Sequence, residues 1–229
     1  MTIPPHVRAR EMQIILSEAA KGLFPKYVVK NRAIIIEPTS YIYRALYLNG
    51  SSSGHRRLEV FSMALFSPHY TLTLELKYPE IFSYSHMKPS LRMDPNLRES
   101  NINTIHEYMV TSATYPLSPA DWLLQIDDPH KFLDGLLRIR NDFPPRIILY
   151  SIACSHFLCG NISECLKYLE RMKSDVDTNN SPFDDKLLTD VGDKLHLVED
   201  DPIAFTKFLQ QTCFEMATQT KCGITPKFD

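Results

Sequence analysis

The chain has 229 residues, of which 44% are hydrophobic and 23% charged, and its net charge is −2. It is long enough to bury a core as one large domain or two small ones, and its near-neutrality gives no global electrostatic case for nucleic acid or an anionic membrane. Only 7 glycines against 16 prolines argue against Gly-rich phosphate loops and fit frequent helix starts.

The opening "MTIPPHVRARE" has no apolar run of signal-peptide length behind it, because "MQIILSEAAKGLF" is interrupted by Ser17, Glu18 and Lys21. No stretch approaches the roughly 18 apolar residues of a membrane span, so the expected compartment is the cytoplasm. Residues 5–22 predict the first helix. Val7, Met12, Ile15, Leu16, Ala19 and Ala20 recur at helical spacing, and Gly22 and Pro25 end it.

From residue 26 the period changes to two. "RAIIIEP" is a β-branched run closed by Pro38. "YIYRALYLN" places Tyr41, Tyr43, Ala45, Tyr47 and Asn49 opposite Ile42, Arg44, Leu46 and Leu48. After the polar loop "NGSSSGH", "RLEVFSMALF" alternates again; "SPH" turns the chain at Pro68, and "YTLTLELKY" sets Leu72, Leu74 and Leu76 against Thr71, Thr73, Glu75 and Lys77. Four strands joined by short polar links predict an antiparallel meander with one buried and one wet face, covered by the first helix. The stretch from Tyr78 to about residue 94 has no period and is expected to be a surface connection.

Beyond it, helix-start signals repeat: Asp94-Pro95, Ser118-Pro119, Asp128-Pro129, Ser181-Pro182 and Asp201-Pro202. In each, the side-chain oxygen accepts an orphan N–H, and the proline wastes no donor at the first helical position. Residues 144–175 predict a helix, a Gly-Asn turn and a second, antiparallel helix. Ile148, Ile152 and Phe157 lie on the first; Ile162, Cys165, Leu166, Leu169 and Met172 lie on the second. The layout resembles one tetratricopeptide unit, but no second copy follows at a period of about 34 residues. The predicted fold is therefore α+β: residues 1–90 as helix plus four-stranded antiparallel meander, and residues 91–229 as a helical half packed on the sheet as one compact unit.

The residues show no catalytic constellation. There is no H-E-x-x-H, phosphate loop, G-x-S-x-G or zinc spacing. The eight histidines are scattered; His69 is expected as a turn residue and His156 as a core histidine bonded to a carbonyl. Five cysteines, Cys154, Cys159, Cys165, Cys213 and Cys222, fall in predicted helices with no C-x-x-C pair, which suits buried free thiols over a zinc or redox site. No metal or cofactor is expected. An enzyme using His69, His156 or the acidic carboxylates remains as an alternative.

Charge placement says more. Residues 1–60 carry nine basic and four acidic side chains, net +5; residues 174–201 carry nine acidic side chains against Lys186 and Lys194, net −7. On a helix starting near Pro182, Asp185, Thr189 and Asp193 share one face, while Leu187, Leu188, Val191 and Leu195 lie largely on the other. Such a face is either solvated or a surface for a basic partner. The candidate partner-binding residues are Asp184, Asp185, Asp190 and Asp193. The tyrosines Tyr41, Tyr43, Tyr47, Tyr70 and Tyr78 cluster in the sheet region, where strand packing explains them more simply than a half-wet interface.

The order of parts, a first helix, then "IIIEPTSYIYRALYLNGSSSGHRRLEVFSMALFSPHYTLTLELKY", then a helical half, resembles the immunity proteins of bacterial polymorphic toxin systems. The closest part is "RALYLN…LEVFSMALFSPH": an aromatic strand with an internal Arg, a polar loop and a strand ending in an apolar-Pro corner. The resemblance covers residues 30–78, and the rest by layout. It implies a cytoplasmic protein that binds and neutralises a cognate toxin by occlusion, with no catalytic motif and no site residues to carry over. A cytosolic antidote implies a toxin acting on cytosolic nucleic acid or nucleotides, whose basic cleft a carboxylate-rich helix can fill. Direct nucleic-acid or membrane binding is not expected. The alternative is a helical adaptor or chaperone that holds a partner's segment between residues 144 and 222.

Overall fold

A computed structural model of the chain describes residues 5–30, 32–50, 55–67, 76–78, 91–92, 98–112, 115–138, 146–174, 187–189, 191–219 and 224–228. The architecture is α+β: an N-terminal helix, an antiparallel sheet and a helical C-terminal region. Backbone contacts divide the chain into two compact units, one made of Met1–Thr39, Tyr43–Ser62 and Leu76–Ile126, the other of Ser40–Ile42, Met63–Glu75 and Asp127–Asp229.

The first unit opens with α1 (Pro5–Ala20). Met12, Ile15, Leu16, Ala19 and Ala20 are buried, as the helical spacing predicts. Gly22 takes φ 80°, the left-handed conformation that lets the chain leave a helix without a Cβ clash. The sheet comprises β1 (Tyr27–Lys30), β2 (Ala33–Ile36), β3 (Ile42–Gly50), β4 (His55–Ala64), β5 (Leu76–Lys77) and β6 (Leu91–Arg92), in the order β1-β2-β3-β4-β5, with β6 also pairing β4. The four expected strands are β2 to β5. Helix α1 packs on β1 and β2, as expected of the first amphipathic cover.

Three sheet features differ from the expectation. β1 is an added strand, hairpin-paired to β2 from Tyr27↔Ile36 to Lys30↔Ala33. Within the supposed surface connection, Leu91–Arg92 pairs antiparallel with β4 at His55 and Arg56. Most importantly, both faces of the central strands are covered in their middle: Tyr43 and Ala45 are as buried as Arg44, Leu46 and Leu48, and Phe61 and Met63 as Leu58, Val60 and Ser62, while Tyr41, Tyr47 and Glu59 are half-buried. The alternation in residue type is real, and the buried guanidinium of Arg44 finds acceptors inside the protein. Arg44 Nη1 donates to Leu123 O at 3.1 Å and Nη2 to Pro38 O at 2.6 Å.

The first unit is completed by α2 (Arg98–Val110) and α3 (Pro119–Gln125). Glu11 of α1 pairs with Arg98 through both carboxylate oxygens, with Nη2 2.6 Å from Oε2. His106 Nδ1 lies 2.9 Å from Ala19 O, which ties α2 to the end of α1. Tyr78 packs edge-on against Tyr115 and Trp122, and its hydroxyl donates to Leu117 O.

The second unit holds α4 (Pro129–Leu137), α5 (Arg146–Leu158), α6 (Ile162–Ser174), a helical stretch at 187–189 and 191–192, α7 (Leu197–Asp200) and α8 (Pro202–Gln219). Three of the five start signals are seen at work. Ser118 Oγ accepts from Asp121 N, Asp128 Oδ1 from His130 N at 2.7 Å, and Asp201 Oδ1 from Ala204 N at 3.0 Å. The Asp94-Pro95 and Ser181-Pro182 signals lie outside the described residues, as does the Pro68 corner.

The helix pair forms as predicted. Gly160 takes φ 78°; its N–H donates to Phe157 O at 2.9 Å and that of Asn161 to His156 O at 2.8 Å. These two bonds are the Schellman closure of α5. Helix α5 is buried without a break from Leu149 to Phe157, as befits a helix surrounded by others. Phe157 meets Phe205 of α8 edge to face at 4.8 Å, and Ser67 and Ser151 share a buried hydroxyl pair at 2.5 Å.

Candidate functional site

The acidic segment is the site the sequence singles out. Asp184, Asp185 and Asp190 lie outside the described residues, while Asp193 is exposed in the turn that follows the helical residues 191–192. The apolar stripe is where the spacing puts it: Leu187, Val191 and Leu195 are buried and Leu188 is partly covered. Val198 continues the stripe one turn on. With that face turned inward, Thr189, Asp193, Lys194, Glu199, Asp200 and Asp201 are left in solvent. Among the described residues, no ion pair neutralises Asp193, Glu199 or Asp200. Asp201 has a structural task, capping α8.

Immediately past these carboxylates stands Ile203, in the first turn of α8 and 69% exposed. The inward face of α8 is Phe205, Leu209, Thr212, Cys213, Met216 and Ala217, so Ile203 is left over from the helix's own packing. The exposed Glu199 and Asp200, which no ion pair neutralises among the described residues, thus precede an unburied branched aliphatic side chain by four and three residues. The sequence reading missed Ile203. The signal was there, because residue 203 falls two positions before the buried face that Phe205 and Leu209 define, off the 3.6-residue stripe.

The other singled-out residues are built into the core. Arg44, the internal Arg of the aromatic strand, is spent on two carbonyls. His156 is buried and its ring stacks on Tyr168 at 5.4 Å and 21°. Among the described residues, Nδ1 has no hydrogen-bond partner, so the expected carbonyl contact is not seen there through that nitrogen. Burial lowers the imidazole below its ordinary 6.5; Glu164 acts in the opposite sense and Lys167 in the same one. His69 lies outside the described residues.

Cys154, Cys165 and Cys213 are buried free thiols and Cys159 is a partly covered one; Cys222 lies outside the described residues. Cys159 is in the turn after α5 rather than in a helix. Burial pushes the Cys159 thiol up to about 11 and the Cys165 thiol up to about 12. Thiols so placed carry almost no thiolate, the reactive form, at neutral pH. Among the described residues, no group of three or more His, Cys, Asp or Glu is placed to hold a metal ion, and no helix is long and apolar enough to cross a membrane.

Comparison of the chain with protein-family models, with curated proteins and with solved structures gives no match. The functional reading therefore stands on the residues and on the pattern-level resemblance of residues 30–78.

Proposed function

We propose that the protein is a cytoplasmic immunity protein, which binds a cognate bacterial toxin and covers its active-site cleft. The contact surface is the acidic segment, with Asp184, Asp185, Asp190 and Asp193 as its candidate carboxylates. The observation that carries this reading is the exposed Ile203, placed three and four residues after the exposed Asp200 and Glu199. Interfaces of this kind divide the labour. Unpaired charges steer a partner of opposite sign and set specificity, while a desolvated apolar anchor slows dissociation. A toxin that acts on nucleic acid or nucleotides presents basic groups where phosphates bind, and exposed carboxylates such as Asp193, Glu199 and Asp200, which no ion pair holds among the described residues, are placed to meet them.

Co-expression with the product of the neighbouring gene tests the proposal. The expected result is protection of the cell and a one-to-one complex that survives purification. An unprotected cell and two proteins that elute separately would sink it.

A further inference from the structure

Residues 224–228, Ile-Thr-Pro-Lys-Phe, follow α8 without helix or turn. Their exposure alternates: Pro226 is buried, Ile224 and Phe228 are half-buried, and Thr225 and Lys227 are exposed. A period of two is the mark of an extended segment lying with one face on a surface. The Phe228 ring sits between two others, 4.8 Å from Tyr41 at 51° and 5.6 Å from Phe214 at 78°. Tyr41 is backed by the fully buried Phe66 at 6.4 Å, and its hydroxyl accepts from Gln210 Nε2 at 3.3 Å. All these residues belong to the second unit.

Two details set this segment apart. Among the described residues, no hydrogen bond holds 224–228, and the ring contacts it makes there are those of Phe228 with Tyr41 and Phe214. Phe214 is still 39% exposed with Phe228 against it, so the aromatic surface is larger than the segment covering it.

We infer that Tyr41, Phe66 and Phe214 form a docking site for an extended partner segment carrying a proline two residues before an aromatic side chain, and that Ile224–Phe228 is its internal, displaceable occupant. Proline suits the buried position because it has no N–H to leave unpaired and its backbone is already set for an extended course. The aromatic ring enters between Tyr41 and Phe214, where edge and tilted ring contacts are favourable. Among the described residues, exchange breaks no backbone hydrogen bond. The opposing factor is local: a tethered occupant competes at an effective concentration in the millimolar range, so the partner's segment succeeds when further contacts hold it nearby. The site uses different residues from the acidic surface and does not depend on the toxin reading.

The test is fluorescence anisotropy of a fluorescein-labelled Ile-Thr-Pro-Lys-Phe peptide titrated with full-length protein, wild type and F228A. Weakening the internal occupant should tighten peptide binding by about tenfold or more, and adding F214A should abolish the gain. Equal affinity for wild type and F228A, or no saturable binding to a folded F228A, overturns the inference. If F228A does not melt cooperatively, wild type carrying 4-fluorophenylalanine at position 228 replaces it. Unlabelled peptide should then move the fluorine resonance toward that of the free peptide, and a resonance fixed up to millimolar peptide overturns the inference.

Discussion

Replacing Arg44 by methionine removes a guanidinium that is 2% exposed and leaves two carbonyl oxygens, Leu123 O and Pro38 O, without the donors that face them at 3.1 and 2.6 Å. Methionine keeps an unbranched apolar stem of similar reach, so the volume is largely filled. Hydrogen bonds from a charged donor contribute about 1.5–3 kcal/mol each, which puts the gross loss at about 3–6 kcal/mol. Part is recovered because a desolvated charge is no longer buried. The expected net destabilisation is about 2–4 kcal/mol. R44K, which delivers a single compact ammonium, should recover about half of it. Urea unfolding followed by both circular dichroism and tryptophan fluorescence measures this. The one tryptophan of the chain, Trp122, sits in α3 next to the carbonyl that Arg44 holds. A variant with the wild-type midpoint and slope, and unchanged Trp122 emission, would refute the view that this buried arginine clamps α3 to the strand.

Gly160→Ala should lower stability by about 1–2 kcal/mol in thermal or urea melts. The space around Gly160 is open, so the cost is that of the left-handed backbone alone; Asn should cost less than Ala, and equal losses would contradict the Schellman reading. The His156 imidazole is held below its ordinary 6.5 by burial, so the unfolded chain takes up the proton first. Its contribution is fully kept above pH 6.5 and lost as pH falls from there toward the folded-state value. H156F keeps a ring against Tyr168 and removes the titration; its melting temperature should fall less than that of wild type over this range, and parallel declines would show that His156 is not the group responsible.

Local rules made much of the fold legible. Ser118, Asp128 and Asp201 announce helix starts because the cap and the first-turn proline are neighbours in sequence, and Gly160 closes α5 through bonds spanning a single turn. The apolar stripe Leu187, Val191, Leu195 was legible for the same reason. What was missed depends on distant partners. β1 and β6 are too short to show a period, and pairing with β2 and β4 defines them. The second buried face of β3 follows from where Arg44 finds its acceptors, one of them in α3. The aromatic site joins Tyr41 to Phe214 and Phe228 from opposite ends of the chain, and no local pattern signals that meeting. The acidic segment was legible as charge. The exposure of Asp193, Glu199 and Asp200, and of Ile203, needed the structure.

The most direct measurement of the central claim is the association rate with the product of the neighbouring gene as a function of ionic strength, for wild type and for the variant in which Asp184, Asp185, Asp190 and Asp193 are all changed to Asn. Exposed charges are screened over about 8–10 Å at moderate salt, so steering shows as a rate that falls steeply as salt is added. The account predicts fast, salt-sensitive association for wild type and a slower rate with a shallower slope for the variant. A variant that associates at the wild-type rate with the wild-type slope would contradict it, and would make the acidic segment a solvated face.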